Sequence, residues 1–265
     1  MLVKRNENTA ELVGLSFGDG SLTRRKNSKR MKFQLRGDLR EEKESYDKHI
    51  APLFNKEIMM PLFNRKVGFA YNIKKNIYGI GVESVKIEKV LNYLGIPSGI
   101  KKELFIPLWI KNKEKYIKRF LRGLFDTDGC VYCQRNYSIK QNKYHTQIRL
   151  YLASTSKNLI NEIFNLLNSL DFKCRIHKRE KHTDLRGFNC QALYILRIDG
   201  GIQTEKWFRE IGSQSQKHTT KYRVWKKFGF CPPKTSLEYR KKMLKNELDP
   251  YIYYAGVPKW SNGQG

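Results

Sequence analysis

The chain has 265 residues, 40% of them hydrophobic and 12% aromatic, which excludes unfolded and fibrous classes and allows one large domain or two of roughly 100 to 150 residues. Its 52 Lys and Arg against 25 Asp and Glu give a formal net charge of +27 spread along the chain, which points to a nucleic-acid partner rather than to one solvated face or a basic tail. No run of about 18 apolar residues suits a membrane span, and the opening MLVKRNENTAEL lacks the apolar stretch of a secretory signal, so no membrane partner is expected and the expected location is intracellular, in a prokaryotic cytoplasm or an organelle.

In chain order, the segment ELVGLSFGDGSL (11–22) predicts an apolar helix ending at Asp19-Gly20. The charged turn TRRKNSKR then leads into a strand, MKFQLR (31–36). There Lys32, Gln34 and Arg36 alternate with Met31, Phe33 and Leu35, as on a sheet with one buried and one wet face. A helix is predicted from Leu39 to Phe54, strands near 67–74 and 77–83, and a helix in SVKIEKVLNYLG (84–95). A boundary is expected near Pro107, after the short extended segment ELFIPLWI. A second apolar helix follows and ends FLRGLFDTDG (120–129). Next come the strand IRLYLAS, the helical pattern SKNLINEIFNLLNSLDF, the strand KCRIHKRE, a long turn, the strand ALYILRI and the helix QTEKWFREIG. In these strands Gln147, Arg149 and Tyr151 share one face, as do Arg175, His177 and Arg179. A last helix, SLEYRKKMLKNEL, precedes the tail DPYIYYAGVPKWSNGQG, whose composition predicts poor order. The expected division is 1–107, 108–230 and 231–265.

The two helix ends are copies of one skeleton. Leu12, Gly14, Leu15, Asp19 and Gly20 align without a gap on Leu121, Gly123, Leu124, Asp128 and Gly129, 109 positions later, and each copy opens the order helix, strand, strand, helix, strand, strand, helix. Glycine inside a helix costs about 1 kcal/mol relative to alanine, so Gly14 and Gly123 call for a reason, and close packing of the two helices supplies one. That packing would bring the helix ends together, with Asp19 and Asp128 side by side. Carboxylates at helix C-termini oppose the macrodipole by about 0.3–1 kcal/mol each and repel one another, an arrangement suited to a bound cation. Two carboxylates with water and phosphate oxygens suit Mg²⁺. A single Asp-Gly can merely end a helix; two aligned copies in so basic a chain favour the metal reading.

LVGLSFGDG and LRGLFDTDG resemble the two signature motifs of the LAGLIDADG homing endonucleases, in their single-chain, two-repeat form; the resemblance spans about residues 9–230. It implies an α/β (α+β) fold of two pseudo-symmetric αββαββα halves whose antiparallel sheets form a saddle over duplex DNA, with the motif helices packed at the centre. It implies a monomeric, site-specific, metal-dependent double-strand endonuclease, intron-encoded, cutting one phosphodiester on each strand of a long asymmetric target. Two or three Mg²⁺ ions, replaceable by Mn²⁺, would sit at the interface near Asp19 and Asp128, flanked by Gly18 and Thr127. The first copy departs from the pattern: Ser16 and Phe17 stand where an apolar residue and an acid are usual, whereas the second keeps Asp126.

Basic residues following each half's last helix are often catalytic in the family, which makes Lys101 and Lys217 candidates for polarising the attacked phosphate, with Lys102 and Lys221 as competitors. The strands are the expected DNA readers through Lys32, Gln34, Arg36, Gln147, Arg149, Tyr151, Arg175, His177 and Arg179, joined by Arg24, Arg25, Asn72 and Lys74. The five cysteines form no expected disulfide framework. Cys130 and Cys133 with His145 and His177 could in principle make a zinc site, yet residues three apart on a strand point to opposite faces, so small buried side chains are the preferred reading. Two other functions stay open: a non-cleaving DNA-binding regulator, and a maturase that binds intron RNA on the same fold.

Overall fold

The computed structural model describes residues 3–24, 29–99, 101, 103–136, 143–184 and 187–254. The first half runs α1 (Glu7–Gly18), β1 (Gly20–Arg24), β2 (Met31–Asp38), a helical rod, β3 (Gly68–Asn72), β4 (Ile77–Ser84) and α5 (Val85–Leu94). The rod comprises α2 (Leu39–Ser45), α3 (Ala51–Phe54) and α4 (Met60–Phe63), joined by π turns at Tyr46–Ile50 and Asn55–Met59. It runs nine residues beyond the predicted end at Phe54. Pro52 and Pro61 are the cause: each follows a π turn, where the widened spacing accommodates a residue without an N–H and with a ring that would strike the carbonyl four residues back.

After the short α6 (Leu108–Lys111), the second half runs α7 (Glu114–Asp128), β5 (Gly129–Gln134), β6 (Gln147–Ser154), α8 (Lys157–Ser169), β7 (Cys174–Arg179), a small ribbon of β8 (His182–Thr183) and β9 (Asn189–Cys190), β10 (Leu193–Asp199) and α9 (Gly201–Glu210). The sheets have equivalent orders, β1-β2-β4-β3 and β5-β6-β10-β7, antiparallel throughout. In β6, Ile148, Leu150 and Leu152 are buried while Gln147, Arg149 and Tyr151 stay partly open, so one face of the sheet packs on helices and the other remains wet.

The motif helices α1 and α7 form the seam. A Cβ on Gly14 would drive into the Phe120 carbonyl and stand 2.8 Å from Leu124 N; one on Gly123 would strike the Glu11 carbonyl and stand 3.0 Å from Leu15 N. Backbone therefore lies on backbone, and the missing side chains are what permits it. Glu11, fully buried in this seam, accepts hydrogen bonds from Arg119 (3.0 Å) and Arg122 (Nε, 3.2 Å) of α7 and pairs with His49 (2.6 Å). Such a buried charge is tolerable only because it is paired, and the pairing fixes the register of the two helices.

Beyond α9 lie α10 (Gln216–Phe228), which the sequence reading missed, and α11 (Leu237–Leu244). Its signals were Ser215 at the start and Gly229, left-handed at φ 77°, at the end. The expected loose tail is ordered at its start: Pro250–Tyr253 makes a 3-10 turn, and Tyr251 and Tyr254 pack on Phe230 and Tyr144. Residues 255–265 lie outside the described residues, as do Arg25 and Lys102.

Candidate active site

Asp19 caps the end of α1, and Asp128 is the last residue of α7. The ends are in close contact: a Cβ on Gly18 would stand 2.7 Å from Thr127 Cβ and 3.1 Å from Asp128 Cγ. Among the described residues neither aspartate side chain makes a hydrogen bond or ion pair. Burial, then the charges of Glu42 and Asp128, push Asp19 up to about 7 against the pull of Lys217 and Lys101. Asp128 keeps contact with solvent at the edge of a recess of about 300 Å³, yet the protein crowding it raises its carboxyl to about 6, desolvation outweighing the opposing charges of Lys101 and Lys217. Both acids thus disfavour ionisation in the metal-free protein, which is the condition a divalent cation relieves. The oxygen-only donors fit a hard ion such as Mg²⁺ or Mn²⁺.

Lys101 and Lys217 both reach this point, by different routes. The Lys101 ammonium donates to the carbonyls of Ser16 (2.6 Å), Phe17 (3.1 Å) and Gly18 (2.9 Å), closing the negative end of α1, which carries no basic residue in its own last turn. Burial holds its pKa below the ordinary lysine value despite the charges of Asp128 and Asp19. Gly18, expected beside the metal, therefore has its carbonyl engaged by an ammonium. Thr127 turns its hydroxyl back to the carbonyls of Gly123 (3.3 Å) and Leu124 (3.0 Å). Lys217, in the first turn of α10, donates to Glu42 Oε1 at 2.7 Å. Lys221 lies beside it in a cavity of about 440 Å³.

Two acids at this centre escaped the sequence reading. Glu42, in α2, is a charge on a helix within a chain full of charge, and nothing in its local pattern marks it as buried. Asp126, visible in the second motif, was left without a role. It is buried, accepts hydrogen bonds from Ser213 Oγ and from Gln214 N (2.9 Å), and is pushed up to about 7, by burial first. It anchors the loop that starts α10. At the equivalent place in the first motif, Phe17 packs edge-on against Phe120, with centroids 5.5 Å apart.

The expected DNA readers divide. Arg36, Arg175, His177 and Arg179 are exposed on their strands, as are Asn72 and Lys74 near the β3–β4 turn, while Lys32 is half-exposed. Gln34 instead is buried and accepts from Arg36 (2.6 Å), because the guanidinium folds over it. Arg149 and Arg175 are both paired with Asp199, which also holds Arg197; burial alone would raise this carboxyl, but the arginines keep it below its ordinary value. Arg149 also donates to Gln134 (2.8 Å), whose amide donates to Gln147 (2.9 Å), leaving Tyr151 with its ring edge-on to Tyr132. Asn72 accepts from Lys75 N (3.0 Å) and Arg24 pairs with Glu88 at 3.4 Å. Among the described residues Cys133 shares its cavity with Cys231 rather than with Cys130.

Residues 115–212 match the family model described as a LAGLIDADG-like domain. The match takes in the second motif copy and not the first. It begins one residue inside α7 and runs through the second sheet to the end of α9. No curated protein sequence matches the chain. Solved structures that match include mesophilic variants from the homing endonuclease I-DmoI (TM-score 0.51, 19% identity, covering 78% of this chain and 95% of that one). I-DmoI in complex with DNA and Ca (0.51, 20%, 77% and 88%) and with DNA and Mn (0.50, 20%, 78% and 96%) match as well. At such identities the likeness is one of fold: two antiparallel sheets and packed motif helices, as the LAGLIDADG resemblance implies.

Proposed function

We propose that this protein is a LAGLIDADG-type, site-specific, divalent-metal-dependent double-strand DNA endonuclease acting as a monomer. The observation that carries the reading is the convergence of two carboxylates, the half-buried Asp19 and the solvent-facing Asp128, with Lys101 and Lys217 at the end of one helix seam. A bound Mg²⁺, or Mn²⁺ in its place, would supply Lewis-acid activation of the attacking water and neutralise charge on the leaving oxygen. The chain's own part is to hold Asp19 and Asp128 as ligands and to set an ammonium on each side of the phosphate position. The charge of +27 draws the DNA backbone, and Arg36, His177 and Arg179 are the exposed strand residues best placed to read bases. An intron-encoded origin is retained from the resemblance alone. The reading is tested by Mg²⁺-dependent selection on a randomised duplex library. Recovery of one cleaved asymmetric site supports it; RNA binding or DNA binding with no cleavage of any duplex would return the maturase or the regulator.

A further inference from the structure

We infer that Glu42, an acid outside both motif copies, is the positioning residue for Lys217 and makes the two sides of the proposed active centre unequal; this rests on the endonuclease reading. Glu42 is buried and fully engaged: Oε1 accepts from Lys217 Nζ at 2.7 Å, and Oε2 accepts from Asp38 N at 2.6 Å. A hydrogen bond to the backbone leaves the carboxylate no rotameric freedom, so it presents a fixed point to which the long lysine chain is tied. The tie crosses between the halves, since Glu42 belongs to α2 and Lys217 to α10. Its neighbours reinforce it. Glu41 accepts from Arg240 and from Leu237 N (2.9 Å), and Glu44 pairs with Lys241, so α2 is bound at both its start and its end by the segment that follows the second half.

The pseudo-symmetry breaks at this point. Asp38 and Ser156 are the N-caps of α2 and α8, and the residue four places on is Glu42 in one and Ile160, buried and apolar, in the other. Among the described residues no carboxylate stands within ion-pair distance of Lys101, which rests on the carbonyls of α1 with only the more distant charges of Asp19 and Asp128 acting on it. One ammonium is fixed by a carboxylate charge, the other by a helix end. The strand whose phosphate meets Lys217 therefore depends on Glu42, and the other strand does not.

The test uses Glu42→Gln in the full chain, in two arms. Pulse acetylation with acetic anhydride, read by mass spectrometry without metal or DNA, should modify Lys217 about tenfold faster in the variant, as expected when the charge-assisted hydrogen bond that ties up the amine is lost, with Lys101 unchanged. Single-turnover cutting of a supercoiled plasmid bearing the selected site should accumulate nicked circles, one strand slowing by about tenfold to a hundredfold, the scale of a misplaced catalytic group. Unchanged Lys217 reactivity, or equal slowing of both strands, overturns the inference. A wild type that labels as described yet cuts no plasmid defeats the endonuclease reading and with it the strand claim, while the labelling arm still decides whether Glu42 fixes Lys217. If Glu42→Gln does not fold, Glu42→Asp, which keeps the charge but retracts it, should shift both readouts in the same direction by less; no shift in a folded variant counts against Glu42.

Discussion

Asp19 and Asp128 hold protons that an unfolded chain would release. Their folded values, about 7 and about 6, lie above the ordinary carboxylate value of 3.8. Between roughly pH 4 and 7 the native state therefore binds more protons than the unfolded state, and stability present at low pH is lost as pH rises through this window. Asp19→Asn removes that loss at one site. Metal-free thermal unfolding should show the variant near wild type at pH 4 and more stable at pH 7.5, by on the order of 1–2 kcal/mol after discounting solvent screening at this partly open position. Mg²⁺ at pH 7.5 should raise the wild-type transition and leave the variant's almost unmoved. A variant no more stable than wild type at pH 7.5 would mean that the native carboxylate is already compensated. Lys101→Ala and Lys217→Ala should slow cleavage far more than they weaken duplex binding, because a transition-state contact acts on rate; equal small losses in both would make them ordinary surface amines.

At the scale of elements, the seam between α1 and α7 is the most legible part of the molecule, and for a physical reason. A glycine at a helix interior is costly, so its recurrence at position 14 and again at 123 within one skeleton is itself a sign of backbone contact. Gly14→Ala should cost about 3 kcal/mol or more, since overpacking ordinarily costs about 1–3 kcal/mol and here the clash is with rigid backbone; denaturant unfolding measures it, and a loss below about 1 kcal/mol would show that the helices can slide apart. The alternation of β2 and β6 was legible for the same kind of reason, each side chain's face following from a period of two. What could not be read were contacts made across the chain. Glu42 meets Lys217 over 175 residues and Asp126 meets Gln214 over 88, and neither pairing leaves a periodic trace. The extension of the rod past Phe54 was obscured by Pro52 and Pro61, which ordinarily end helices but here sit behind π turns.

For the whole molecule, the excess of base spread over both halves and the presence of both motif copies in one chain set the expectations. DNA affinity should fall steeply with salt, log affinity against log salt having a slope of about 0.9 for each phosphate neutralised, and sedimentation of the complex should show one chain per site. A slope equivalent to one or two phosphates, or two chains per site, would contradict an extended single-chain interface. The central claim is that the acids at the seam do chemistry rather than hold the helices together. The measurement is cleavage and binding of the selected duplex by Asp19→Asn and Asp128→Asn, in parallel with their unfolding transitions. Double-strand cutting in Mg²⁺ should fall below detection for each variant while specific binding in Ca²⁺ and the native fold persist; cutting at near wild-type rate, or joint loss of binding and folding, would contradict it.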